Sequence, residues 1–140
     1  MYYLKTEHSF DSAHFLSGYD GKCKNIHGHR WKVVVRIKCA QLSQSGNSRE
    51  MIVDFDSLKK DLKKETDALD HCLIVEKGTL REKTLEAFKE EGFRLVEVDF
   101  RPTAESFSKY FYDKMKNYGY DVASTEVYET PNNCAAYSEE

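Results

Sequence analysis

The sequence predicts an α+β domain built on a mostly antiparallel sheet. Three observations carry this expectation. The run "HRWKVVVRIKCA" (29–40) alternates as a strand does, "RPTAESFSKYFYDKMKNYGY" (101–120) repeats its apolar residues at helical spacing, and strand-like segments stand at both ends of the chain with helical ones between. With 140 residues the chain suits one domain, residues 1–140, with a full core.

The N-terminal "YYLKTEHSFDSAHF" is rich in β-formers and predicts a first strand. In "HRWKVVVRIKCA", Trp31, Val33, Val35, Ile37 and Cys39 share one parity, while Lys32, Arg36 and Lys38 share the other. That is a strand with one face buried. The polar "QLSQSGNSRE" predicts a connector, and "MIVDF" (51–55) the end of another strand. A helix should follow, with Phe55, Leu58, Leu62, Glu65 and Leu69 near helical spacing and Asp54 or Asp56 as N-cap. "TLREKTLEAFKEEG" predicts a short helix closed by Gly92, and "FRLVEVDF" a strand. Pro102 and Thr103 then open a helix whose apolar face is Ala104, Phe107, Phe111, Met115 and Tyr118. "VASTEVYET" and "NNCAAYSE" read as strand, turn, strand.

Composition narrows the function. Hydrophobic residues make up 40% and charged residues 32%, which argues against disorder. A net charge of −3 offers no reason to expect nucleic acid or an anionic membrane as partner. No apolar run approaches the ~20 residues of a membrane-spanning helix, and "MYYLKTEHSF" lacks the parts of a secretory signal, so a cytoplasmic location is expected. The four cysteines are scattered without a C-x-x-C pair, which in a reducing compartment predicts free thiols.

The residues with chemical potential cluster in "CKNIHGHRW" (23–31). In an extended chain His27 and His29 project to the same face, with Gly28 adding no bulk between them. A hairpin would lay His14, near the end of the first strand, beside them. Three imidazoles from two strands would leave one tetrahedral position of a zinc ion vacant, the pattern of a catalytic site. Two alternatives stand beside this: a pair of ordinary histidines, or a structural zinc with Cys23 as fourth ligand.

"FDSAHFL" (10–16) followed by "CKNIHGHRW" resembles the 6-pyruvoyl-tetrahydropterin synthase family, as do "MIVDFDSLK" (51–59), "LDH" (69–71), "PTAES" (102–106) and "YETPNNCAAY" (128–137), in the same order. The three residues between Cys23 and His27 resemble the 6-carboxytetrahydropterin synthase (QueD) branch, which feeds the queuosine and 7-deazapurine pathway. The resemblance implies the tunnelling fold: a four-stranded antiparallel sheet with two main helices on one face. It also implies a homo-oligomer, in the hexameric range, whose sheets join into a β-barrel with active sites between subunits. The implied reaction converts 7,8-dihydroneopterin triphosphate and water into 6-carboxy-5,6,7,8-tetrahydropterin, acetaldehyde and triphosphate. The implied alternatives are a 6-pyruvoyl-type product and a pterin- or metal-binding module without turnover.

By the same resemblance His14, His27 and His29 are the zinc ligands and Cys23 is the general base. Asp70 and His71 are a proton-relay pair, Glu129 is the pterin anchor, and Glu105 is a second acid near the ring. Three departures touch the substrate site: "CLIVEKG" replaces a Leu–Asn pair after "LDH", Arg101 precedes "PTAE" where Asn is common, and Ser106 follows it where Asn is common.

Overall fold

A computed structural model describes Met1–Glu140. Strand β1 (Tyr2–His14) and strand β2 (His27–Cys39) form a long antiparallel hairpin whose register runs from Tyr2↔Cys39 to His14↔His27. The far side of β2 pairs antiparallel with β5 (Val122–Thr130), which pairs with β6 (Asn133–Tyr137). On the other side β1 pairs in parallel with β3 (Leu73–Glu76), and β3 with β4 (Leu95–Val98). The sheet order is β4-β3-β1-β2-β5-β6.

The sheet therefore has six strands rather than the expected four, and it is mixed. The antiparallel four are β1, β2, β5 and β6. Strand β4 lies within "FRLVEVDF", as expected, whereas β3 had no alternating signal, because "LIVE" is a short run buried on both faces. "MIVDF" forms no strand: Ile52 and Val53 pack against the core without ladder partners, and the helix starts at Phe55.

Helices α1 (Phe55–Asp67) and α3 (Ala104–Asn117) cover one face of the sheet. Helix α2 (Glu82–Glu90) is a third, lying by a small cluster of Phe15, Leu73 and Val75 with Phe88 and Leu95. The main core holds Phe10, Trp31, Val33, Val35 and Ile37 from the hairpin against Leu58, Leu62, Phe107, Phe111 and Met115 from the helices. The predicted parity of β2 thus faces inward. Phe55 and Tyr118, expected on the apolar faces, are exposed because they lie at helix ends beyond the sheet's cover.

Capping explains the helix limits. Asp54 accepts from the Ser57 amide at 2.8 Å, and Thr103 accepts from the Ser106 amide at 3.1 Å. Gly92, at φ 85°, closes α2 in a left-handed turn, with the Phe93 amide bonded back to Phe88. Asp54→Ala is expected to cost about 1 kcal/mol, read as a lower denaturant midpoint at unchanged slope. No helix is long and apolar enough to cross a membrane. All four cysteines are free thiols.

Candidate metal centre and active site

The hairpin register decides the site. Because His14 lies opposite His27, and His29 lies two residues further along β2, all three rings emerge on the helix-covered face. Glu129 joins them from β5, at the point where the β5–β6 register skips between Tyr128 and Thr130. Bulges of this kind re-aim a side chain. One ligand atom from each of His14, His27, His29 and Glu129 lies within 4.8 Å of the others.

Backbone carbonyls select the tautomers. His14 Nδ1 donates to the Pro102 carbonyl at 2.7 Å, and His27 Nδ1 donates to the Asn25 carbonyl at 2.7 Å. Each ring then presents a bare Nε2 lone pair, and these two nitrogens face one another at 3.2 Å. His29 Nε2 is buried without a hydrogen-bonding partner and lies 2.8 Å from Glu129 Oε1. Two opposed lone pairs, an orphaned nitrogen and a carboxylate fit a divalent cation. The fourth corner, expected to be vacant or taken by Cys23, is bordered instead by Glu129, 3.9 Å from His14 Nε2.

The electrostatics agree. Burial, opposed by the Pro102 carbonyl and reinforced by His27 and His29, pushes the His14 imidazole down to about 4. Burial also lowers His29, with Glu129 opposing the shift. Both rings are thus neutral, as ligands must be, at neutral pH. Behind them Trp31, fully buried, stands edge-on to His14 and His29 at 4.9 and 5.3 Å and to Phe107 at 5.0 Å. The rings are held by packing as well as by hydrogen bonds.

A depression of about 430 Å³ opens beside this group, lined by His29, Glu129, Tyr128, Arg30, Lys32 and Thr130 among others. A Cβ built on Gly28, also in its wall, would meet only the Ser12 carbonyl at 3.6 Å. A side chain at position 28 would thus stand in ordinary contact, and no left-handed backbone calls for glycine there.

Cys23 sits in a single 3₁₀ turn, Lys22–Lys24, and its carbonyl accepts from the Leu16 amide at 2.9 Å. This places it beside the exit of β1, half-buried and outside the imidazole group. Asp70 and His71 do touch: His71 Nδ1 donates to Asp70 Oδ2 at 2.8 Å. The Asp11 amide donates to Asp70 Oδ1 at 2.8 Å, and the His71 amide to the Asp11 carbonyl at 2.6 Å. The Asp11 amide, and more weakly the His71 ring, holds the Asp70 carboxyl below the usual carboxylate range. His71 has φ 53°, a left-handed backbone costing a residue with a side chain about 1–2 kcal/mol. Neither residue bonds to the three imidazoles, although His71 and His29 border a common, more open depression of about 380 Å³. Glu105 lies exposed in the first turn of α3. The fifth histidine, His8, bonds Thr66 of α1 at 2.9 Å and serves packing.

Residues 3–140 match the family described as 6-pyruvoyl tetrahydropterin synthase. The chain belongs to that family. It is 34% identical to the 6-carboxy-5,6,7,8-tetrahydropterin synthase of Haemophilus influenzae, over 99% of this chain and 100% of that one. It is 30% identical to the protein of the same name from Aquifex aeolicus, over 85% and 77% of the two chains. Among solved structures, an uncharacterized Wolinella succinogenes protein superposes with a TM-score of 0.78 at 21% identity, covering 99% and 98% of the two chains. The Plasmodium vivax 6-pyruvoyltetrahydropterin synthase does so at 0.71 and 18%, again over 99% and 98%. Those two likenesses establish the fold.

Membership in the 6-pyruvoyl tetrahydropterin synthase family makes the imidazole cluster the centre of interest. Its supporting carbonyls, Pro102 and Asn25, were invisible in the sequence because a main-chain acceptor leaves no residue signature. Asp11 lies within "FDSAHFL" but carries no chemical signal of its own in the sequence.

Proposed function

We propose that the protein is a 6-carboxy-5,6,7,8-tetrahydropterin synthase, a lyase converting 7,8-dihydroneopterin triphosphate and water into 6-carboxytetrahydropterin, acetaldehyde and triphosphate. The observation that carries the proposal is the convergence of His14, His27, His29 and Glu129 beside an open depression, in a chain 34% identical along its length to a synthase of that name.

His14, His27 and His29 would hold zinc. Held there, it would supply a Lewis acid to acidify the C–H beside the substrate's side-chain hydroxyls and to stabilise the oxyanion that forms. Cys23 takes that proton as general base. Asp70 keeps the His71 proton on Nδ1, so Nε2 is the nitrogen that accepts and returns protons. Glu129 accepts two N–H bonds from the pterin's amino edge, which reaches it through the depression. Its approach to His29 in the free protein positions that carboxylate at the boundary between metal and ring. Arg30 and Lys32 supply positive charge on the same wall for an anionic substrate, and Glu105 is placed as a second acid toward the ring.

Cys23 and His71 stand outside the imidazole group of their own chain, and the His71 side chain is 78% exposed. We infer that copies of the chain assemble so that these groups serve a pocket between subunits, within the pathway that leads to queuosine, in the cytoplasm.

The test is incubation of metal-analysed protein with dihydroneopterin triphosphate and identification of every product by mass. Acetaldehyde with the carboxylated pterin is expected. Triphosphate release with all three side-chain carbons retained would assign the 6-pyruvoyl-type reaction, and ligand binding without turnover would assign a binding module. Glu129→Gln is expected to raise KM about 10- to 100-fold, measured by steady-state kinetics, because a charge-assisted pair of bonds is weakened.

A further inference from the structure

We propose that Arg94 is a positioning residue for Asp70 and His71, pinning the turn that keeps His71 left-handed with its ring on the Asp70 carboxylate. The proposal rests on the acid–base role given to that pair.

Between the end of α1 and the start of β3 the chain has only a few residues in which to reverse, and the carbonyls there have no helical partner. Side chains from outside take them. Arg94 Nη2 donates to the Ala68 carbonyl at 2.6 Å, and Nη1 donates to the Asp70 carbonyl. The Leu69 carbonyl between them accepts from Ser12 Oγ and from Cys72 Sγ. The Arg94 carbonyl meanwhile accepts from the Leu73 amide at 3.0 Å, so one residue grips the turn at both ends.

The turn needs that grip. A residue with a Cβ leaves the left-handed region unless its surroundings over-determine it. If His71 relaxed, its amide would leave the Asp11 carbonyl and its Nδ1 would leave Asp70 Oδ2. Arg94 touches neither the ring nor the carboxylate oxygens by hydrogen bond, and acts through the main chain. Only a fork with two separately directed N–H groups reaches both carbonyls, whereas a lysine ammonium at position 94 would hold one.

The experiment compares metal-loaded Arg94→Ala, Arg94→Lys and His71→Gln with the parent protein. Steady-state kinetics, metal content and ¹⁵N NMR of the histidine rings are recorded, with the His71 signals assigned by their loss in His71→Gln. Arg94→Ala is expected to lower kcat about 10- to 100-fold with KM and metal content unchanged. The His71 ring should pass from the Nδ1–H tautomer to a mixture, and Arg94→Lys should recover part of both effects. A variant with a lower melting temperature but parental kcat and tautomer would overturn the proposal, leaving Arg94 a helix-end cap. If His71→Gln itself turns over at the parental rate, the acid–base role fails, while the ring spectra still decide whether Arg94 sets the tautomer. Should Arg94→Ala not fold, Arg94→Lys is held to the same criteria, and parental values there overturn the proposal.

Discussion

Replacing His29 with alanine is expected to remove the bound metal and take turnover to background. The reason lies in the donor set. His14 and His27 are fixed as Nδ1–H tautomers by Pro102 and Asn25, and their Nε2 atoms oppose each other at 3.2 Å. His29 supplies the third nitrogen, a buried one without a hydrogen-bonding partner. Without it two imidazoles and one carboxylate are left to hold the cation, and the carboxylate is the group assigned to the pterin. Metal analysis after dialysis and a melting curve with and without added zinc check this. In the parent protein the metal should raise stability by about 2.7 kcal/mol at a hundred times its Kd, because only the folded hairpin opposes those nitrogens. In His29→Ala most of that gain should vanish. Equal metal retention by the variant would refute the three-imidazole centre.

Cys23→Ala is expected to lower kcat about 10²- to 10⁴-fold while metal content stays at the parental level. Cys23 stands outside the imidazole group, half-buried in its own turn, so its loss should leave the ligands and their carbonyl supports undisturbed. A structural zinc using this thiol predicts the opposite pairing, metal lost together with fold. The two outcomes separate cleanly in one metal assay and one progress curve. Mixing Cys23→Ala subunits with His71→Gln subunits extends the test. If Cys23 and His71 reach one pocket from different copies, the mixture should recover activity that neither variant has alone, whereas pockets that draw both groups from one copy would recover none.

Much of this was legible in the residues themselves. The parity of Trp31, Val33, Val35 and Ile37 marked the buried face of β2, and that same parity places His27 and His29 on it. Asp54, one of two cap candidates with Asp56, and Thr103 marked the helix starts, because an N-cap acts through its own side chain on an amide three residues away. The family resemblance read from these motifs is matched over residues 3–140. Where the pattern misled, a local signal met a non-local need. "LIVE" lacked alternation since both its faces are covered, and "MIVDF" has β-formers whose amides find no ladder. Glu129 was assigned to the ring alone, and nothing local reveals a bulge that turns it toward His29.

By itself, then, the sequence determined the local grammar: which residues face inward, where helices begin, and which imidazoles share a strand face. Those properties depend on spacings of two to four residues, which periodicity records directly. Tertiary structure alone decided that His14 stands opposite His27, that Pro102 aims a carbonyl at its Nδ1, and that Arg94 closes over the turn bearing Asp70 and His71. These partners are 13, 88 and 24 or more residues apart in the chain, and main-chain carbonyls carry no residue identity by which they could be foreseen.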